Sequence, residues 1–330
     1  MYNTIIPKTD TKDRIIRYLN EHGETTPHEL VGFLEISSQA LFRHLKTLIQ
    51  NNSIEKIGAP PKVYYRICTK KLYESTDNIS NDDQLFLDQH FFFVSPIGDS
   101  YHGIKALSVW CERQGLPLEK TLEEYKKTLA KYNQYKSDGL INGLDKLKST
   151  FDTVFLDALF YFDFYAIERF GKTKLGYFLL YSKQGQSLSF VKKLTQEIKP
   201  NIQNIINNNN FDAIAFVPPT VKRDIQIMKL IEQECSFDLR IVKIEKIKTP
   251  IIVPQKTLSK LNDRVQNARN TMLVTEKKSF DRILLIDDAV GSGSTLNEIA
   301  KQIKEKGIAN HITGLALTGS FKGFEILNEV

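Results

Sequence analysis

Residues 282–295 read Arg-Ile-Leu-Leu-Ile-Asp-Asp-Ala-Val-Gly-Ser-Gly-Ser-Thr, and no other stretch limits the fold as sharply. Ile283, Leu284, Leu285 and Ile286 predict a short buried strand. The strand ends in two acids, Asp287 and Asp288. The chain then passes through small residues, Ala289, Val290, Gly291, Ser292 and Gly293, and enters a helix at Ser294 and Thr295. Leu296, Ile299, Ala300 and Ile303 give that helix one apolar stripe, and Lys304, Lys306 and Gly307 suit its C-terminus. The surroundings repeat the alternation. Strands are predicted over 175–181, 212–217, 239–244 and 312–317, and helices over 189–206, 221–234 and 294–306. Apolar strands between amphipathic helices predict an α/β fold whose parallel sheet is covered on both faces.

The same stretch carries chemistry. A helix N-terminus offers unpaired N–H groups and a positive dipole end, which attract a phosphate. Gly291 and Gly293 let the backbone approach a ligand, and Ser292, Ser294 and Thr295 add hydroxyl donors. Asp287 and Asp288, just before this cradle, suit the hydroxyls of a sugar. Two look-alikes fail. No Lys precedes Ser294 or Thr295, as a nucleotide-binding P-loop requires, and Leu296 stands where a dinucleotide fingerprint needs its third glycine.

Residues 283–295 resemble the 5-phosphoribosyl-1-pyrophosphate (PRPP) motif of type I phosphoribosyltransferases. The resemblance implies that Asp287 and Asp288 meet the ribose hydroxyls, and that Ala289 to Thr295 hold the 5-phosphate. It also implies that the loop after strand 212–217 receives pyrophosphate, through Pro219, Thr220, Lys222 and Arg223. Pro254, Gln255, Leu258, Arg264 and Asn267 resemble a series in the ComF-like branch, with the Leu-to-Arg spacing one residue longer. Residues 246–278 would then be a mobile loop closing over PRPP, with Gln255, Arg264 and Asn267 on it. The implied chemistry is displacement of pyrophosphate at ribose C1. Mg²⁺ is the implied cofactor, held through PRPP and not by a protein cage.

At the other end, helices are expected over 12–20, from Thr26 onward, and over 39–50. Thr26 and Glu29 have capping-box spacing, Pro27 suits the first helical position, and Ser37 or Ser38 can cap the third helix. Leu41, Leu45, Leu48 and Ile49 form its expected buried stripe. Strands over 53–57 and 62–67 flank a turn at Gly58-Ala59-Pro60-Pro61. Residues 10–67 resemble a winged helix-turn-helix, which implies nucleic-acid contact through Gln39, Arg43, Lys46 and Thr47, with Lys56, Lys62 and Arg66 beside the wing.

The expected domains are 1–80, a winged helix; 81–172, a mainly helical connector; and 173–330, the phosphoribosyltransferase-like part. Within the connector, 91–94 reads as a strand, 104–114 and 118–132 as helices, and 144–170 as a long aromatic-rich helix or helix pair.

Composition bounds the rest. Of 330 residues, 41% are hydrophobic and 25% charged, with net charge +6. This is ordinary for a globular protein and permits a phosphate or nucleic-acid partner. No run of 18 uncharged apolar residues exists, so a membrane is not an expected partner. Cys68, Cys111 and Cys235 lack CxxC spacing, which fits free thiols in the cytoplasm. His90, Asp99, His102 and Cys111 are not read as a metal set. The expected partners are PRPP and DNA or RNA, and a homo-oligomer is compatible. Three functions stay open: a phosphoribosyltransferase coupled to nucleic acid, a transcriptional regulator that only senses PRPP or a nucleotide, and, because such fusions resemble retron accessory proteins, a nucleotide-metabolising effector of anti-phage defence.

Overall fold

The computed structural model describes residues 10–50, 53–68, 79–219, 221–247, 253 and 255–320. The chain divides into two compact units, Met1–Asp77 and Asn78–Val330.

The first unit contains α1 (Thr11–His22), α2 (Pro27–Leu34), α3 (Ser38–Gln50) and a hairpin of β1 (Ile54–Ala59) with β2 (Lys62–Ile67). Helix starts follow local chemistry. Glu29 N donates to Thr26 Oγ1 at 3.3 Å, and Thr26 N donates back to Glu29 Oε2 at 2.7 Å, closing a capping box. Ala40 N donates to Ser37 Oγ at 3.3 Å at the start of α3. Ile15, Leu19, Leu30, Leu34, Leu41, Leu45, Leu48, Ile54 and Tyr65 form the core. Thr25 exchanges two backbone hydrogen bonds with Tyr65, which ties the α1–α2 turn to the hairpin. Ile49, expected in the buried stripe, is exposed. It lies about 80° around the helix from Leu41, past the edge of the stripe.

The second unit runs through α4 (Asn81–His90), β3 (Phe92–Val94), β4 (Ser100–His102), α5 (Gly103–Gln114), α6 (Leu118–Asn133), β5 (Lys136–Ser137), β6 (Leu140–Asn142) and α7 (Leu144–Thr150). It continues through β7 (Ala158–Phe164), β8 (Ala166–Ile167), β9 (Gly171–Lys172), α8 (Lys174–Lys183), α9 (Leu188–Asn209), β10 (Ala213–Phe216), α10 (Ile227–Cys235), β11 (Arg240–Ile241) and β12 (Ile244–Lys246). It closes with α11 (Leu261–Thr271), β13 (Met272–Val274), β14 (Phe280–Val290), α12 (Ser294–Glu305) and β15 (Ala309–Gly319).

Seven of these strands form one sheet, in the order β11-β10-β14-β15-β7-β6-β5. The first five are mutually parallel, and β6 and β5 add an antiparallel edge. The central strands alternate their side chains between two cores. Ile214, Phe216, Leu284, Ile286, Leu315 and Leu317 pack with α8, α9 and α10. Ala213, Ala215, Val217, Ile283, Leu285 and Ile312 pack with α12 and Leu147. Both faces are therefore dry, as the continuous apolar runs predict.

Three expectations fail. Residues 144–170 are not a long helix: after the short α7 the chain forms β7, paired in parallel with β15. Its side chains divide among three cores, so Leu159 to Phe164 are apolar on both faces except at Asp163, and no strand alternation shows. Residues 175–181 are not a strand but most of α8. Leu175, Phe178, Leu179 and Ser182 are buried at helical spacing, and Gly176 N donates to Thr173 Oγ1 at 3.1 Å to cap the helix. The boundary expected at 172/173 falls inside one compact unit, because the supposed connector supplies β5, β6 and β7.

Candidate functional site

Strand β14 does not stop at Ile286. It stays paired with β15 through Val290, in register Asp287↔Ala316, Ala289↔Thr318 and Val290↔Gly319. The acid pair therefore rides on a central strand rather than on a loop. The turn into α12 follows directly. Gly293 is the N-cap of α12, with φ +77°, and a Cβ there would run into the Leu147 side chain. Glycine is required at this corner for both reasons.

Ser292 and Ser294 are buried, and their Oγ atoms lie 2.9 Å apart. Thr295 is half-buried beside them. No acid occupies the first turn of α12. Asn297, in that turn, accepts from Phe155 N at 2.8 Å on Oδ1 and donates to Thr153 O at 3.0 Å, which pins the 151–157 segment under the loop. Its composition-neutral position gives no signal in the sequence.

A cavity of about 190 Å³ opens above this turn. It is lined by Asp287, Asp288, Ala289, Val290, Gly291, Ser292, Gly293, Ser294 and Thr295, by Pro218, Pro219, Val221 and Arg223, and by Gln255, Arg264 and Lys183. With Thr318, Gly319 and Ser320 at the end of β15, the fold gathers residues from five separate chain segments. Lys222 is exposed and does not line the cavity, so the expected cation pair contributes only Arg223 there. Both precede α10, which begins at Ile227 rather than at Val221. Thr220 and Pro254 lie outside the described residues.

Much of the expected mobile loop is regular structure. Residues 261–271 form α11 and 272–274 form β13, with β13 paired to β12. Arg264 is only 5% exposed, and its Nε donates to Leu258 O at 2.7 Å. Among the described residues no carboxylate pairs with it, and burial draws its guanidinium below the ordinary value. Asn267 Nδ2 donates to Gln255 Oε1 at 2.5 Å, while Gln255 Nε2 donates to Arg264 O at 2.9 Å and to Ser294 Oγ at 3.2 Å. Gln255, Arg264 and Asn267 therefore form one network that reaches the helix N-terminus, with Asn267 acting through Gln255.

The acid pair is electrostatically tense. Burial, and then the charge of Asp288, push the Asp287 carboxyl up to about 7; Lys183 and the Asp288 N–H, which donates to Asp287 Oδ1 at 2.8 Å, offset part of this. Lys183 Nζ lies 2.6 Å from Asp288 Oδ2. Sequence reasoning missed Lys183 because it read 175–181 as a strand; a helix there puts position 183 at the C-terminal turn.

Chemically, the cavity joins an anion cradle, a buried cation without a carboxylate partner and a carboxylate pair. It suits a ligand with a phosphate at one end and hydroxyls a few ångströms away. No protein-family model matches the chain, and no curated protein does. Among solved structures the chain matches a crystal structure of adenine phosphoribosyltransferase, at 12% identity and a TM-score of 0.28, over 43% of this chain and 78% of that chain. A likeness that loose carries no weight beside the geometry of the site.

Proposed function

We propose that the second unit binds PRPP and displaces its pyrophosphate, and that the first unit binds nucleic acid. The carrying observation is the cavity itself. The N-terminus of α12, the buried hydroxyls of Ser292 and Ser294 and Arg264, which has no carboxylate partner among the described residues, converge beside Asp287 and Asp288. A buried guanidinium without a counter-charge is costly, and a bound phosphate would satisfy it.

In this reading the first turn of α12 and Arg264 hold the 5-phosphate. Asp287 and Asp288 accept hydrogen bonds from ribose hydroxyls, and Arg223 faces the pyrophosphate. The C1–O bond to pyrophosphate breaks and its electron pair leaves with pyrophosphate, while an incoming nucleophile bonds to C1. The protein acts by positioning and by fixed charge. Asp288 is engaged by Lys183, and among the described residues no group of three or more His, Cys, Asp or Glu could cage a metal, so in this reading Mg²⁺ would be held through the oxygens of PRPP. Mg²⁺, when bound with the ligand, neutralises pyrophosphate charge.

A second reading, a sensor that holds PRPP without turning it over, is favoured by the exposure of Lys222, which leaves one expected cation outside the cavity. One experiment addresses both. Calorimetry with Mg²⁺ and PRPP should show binding that weakens at least tenfold in Asp287→Asn/Asp288→Asn, about 1.4 kcal/mol or more. Unchanged affinity sinks the site assignment. Pyrophosphate release, screened with bases, ammonia and other amines, then separates enzyme from sensor: none with any acceptor favours the sensor.

A further inference from the structure

The acid pair receives a cation from an element outside the motif. Lys183 ends α8, and its Nζ lies 2.6 Å from Asp288 Oδ2. The Asp288 side chain is 14% exposed and the Lys183 side chain 36%, so the carboxylate is the shielded partner and the lysine reaches it from a partly open side. Burial draws the ammonium down, but the carboxylates of Asp288 and Asp287 outweigh this and hold it raised and charged, against repulsion from Arg223. Lys183 and both acids line the same cavity as the phosphate loop.

The placement is built into the fold. Thr173 caps α8 and also donates its hydroxyl to Phe164 O at 2.7 Å, locking the helix start to the end of β7. Gly176 lies so close to the Tyr165 carbonyl oxygen that any Cβ would collide with it. Leu175, Phe178 and Leu179 are buried in the core below. The last turn of α8 therefore delivers its lysine to Asp288 from a fixed platform.

An ammonium carries three donors, and the bond to Asp288 leaves capacity for ligand oxygens. Mg²⁺ instead demands an octahedral shell and sheds water reluctantly. To reach the shielded Asp288 carboxylate it would have to break the Lys183 ion pair and bring a divalent charge beside the ammonium and Arg223, whose like charges oppose it.

We propose that Lys183 is the resident counter-cation of Asp287 and Asp288: it lets the ribose 5-phosphate half of the site take its ligand without a divalent ion and keeps a free divalent ion out. The divalent ion enters only with the pyrophosphate limb. This rests on the ribose-phosphate reading of residues 287–295.

The test uses the full chain, with folding of each variant checked by thermal melting. Ribose 5-phosphate is titrated calorimetrically in EDTA and in Mg²⁺, and Mn²⁺ binding without sugar is followed by electron paramagnetic resonance. The parent should bind ribose 5-phosphate within threefold of the same affinity in both buffers and should bind no Mn²⁺. Lys183→Met, or Lys183→Gln if the first is unfolded, should lose at least tenfold in EDTA. It should also gain one Mn²⁺ site, which disappears in Lys183→Met/Asp288→Asn. A parent that needs Mg²⁺ for ribose 5-phosphate, or a lysine variant unchanged in EDTA, overturns the proposal. So does a parent Mn²⁺ site that Asp288→Asn removes. If ribose 5-phosphate binds under no condition, the ribose-phosphate reading falls with the first half of the proposal, and the Mn²⁺ measurements decide the second.

Discussion

The Asp287 carboxyl holds a proton in the folded chain at pH values where an unfolded aspartate has lost it. Its position, raised to about 7 by burial and then by Asp288, has a definite sign for stability. Between the unfolded value near 4 and about 7 the native state binds more protons than the unfolded state. The associated stability is present at low pH and is lost as pH rises through that window. From pH 5 to pH 8 this group should lower the unfolding free energy by up to about 3 kcal/mol. Urea unfolding at both values should show the drop in the parent and lose that share of it in Asp287→Asn. Equal pH dependence in the two proteins would refute the assignment. Single residues of the site differ in how plainly the sequence announces them. Asp287, Asp288, Ser292, Gly293 and Ser294 sit in one stretch whose pattern already predicts a strand, a turn and a helix N-terminus. Lys183 and Asn297 act across more than a hundred residues of chain, and a lone lysine or asparagine carries no local signal of that.

Two helices show how an element is read well or badly. The stripe of Leu41, Leu45 and Leu48 marks α3, because its other faces are polar apart from the exposed Phe42 and Ile49. Helix α8 has apolar residues on every side, and an apolar run without a polar face is legible as strand or helix alike. On α3, Gln39, Arg43, Lys46 and Gln50 form an exposed stripe with no acid anywhere on the helix. Thr47 instead donates its hydroxyl to Arg43 O at 3.1 Å. Arg66 is engaged by Glu55 at 2.7 Å and Glu24 at 2.9 Å, so it is not free to meet a phosphate as the sequence suggests. Lys56 and Lys62 remain exposed on the hairpin. If α3 meets duplex DNA, anisotropy titrations should show Arg43→Ala/Lys46→Ala weakening binding. The salt slope should fall by about one unit for each phosphate contact removed. A variant indistinguishable from the parent would show that this face is not the binding face.

The sheet makes a larger demand on the chain. Strand β7 pairs with β15 on one side and β6 on the other, so residues 136–164 complete a sheet whose remaining four strands begin at 213. Asp157 reinforces the junction: its Oδ2 accepts from Ile312 N at 2.8 Å, and its Oδ1 accepts from Lys304 Nζ at 3.0 Å. A fragment of residues 173–330 would expose the β15 edge and the apolar surface that β7 covers. It should aggregate or lack a cooperative melt. A fragment of 79–330 should melt cooperatively and keep ribose 5-phosphate affinity within threefold of the full chain. Circular dichroism and calorimetry on both fragments check this. A stable, ligand-binding 173–330 fragment would show that β7 is dispensable.

The local pattern was sufficient for the strand–turn–helix of residues 283–305, the capped helices of the first unit and strands β10 and β15. In each of these the physical signal lies within a few residues: a glycine that must turn, a hydroxyl that caps, an apolar stripe of one period. The β7-β6-β5 side of the sheet, the identity of α8, the ordered Gln255–Arg264–Asn267 network and the Lys183–Asp288 ion pair required the folded chain. There the deciding energy comes from surfaces brought together across long stretches of sequence, where burial on every side erases periodicity and a charge finds its partner only in space.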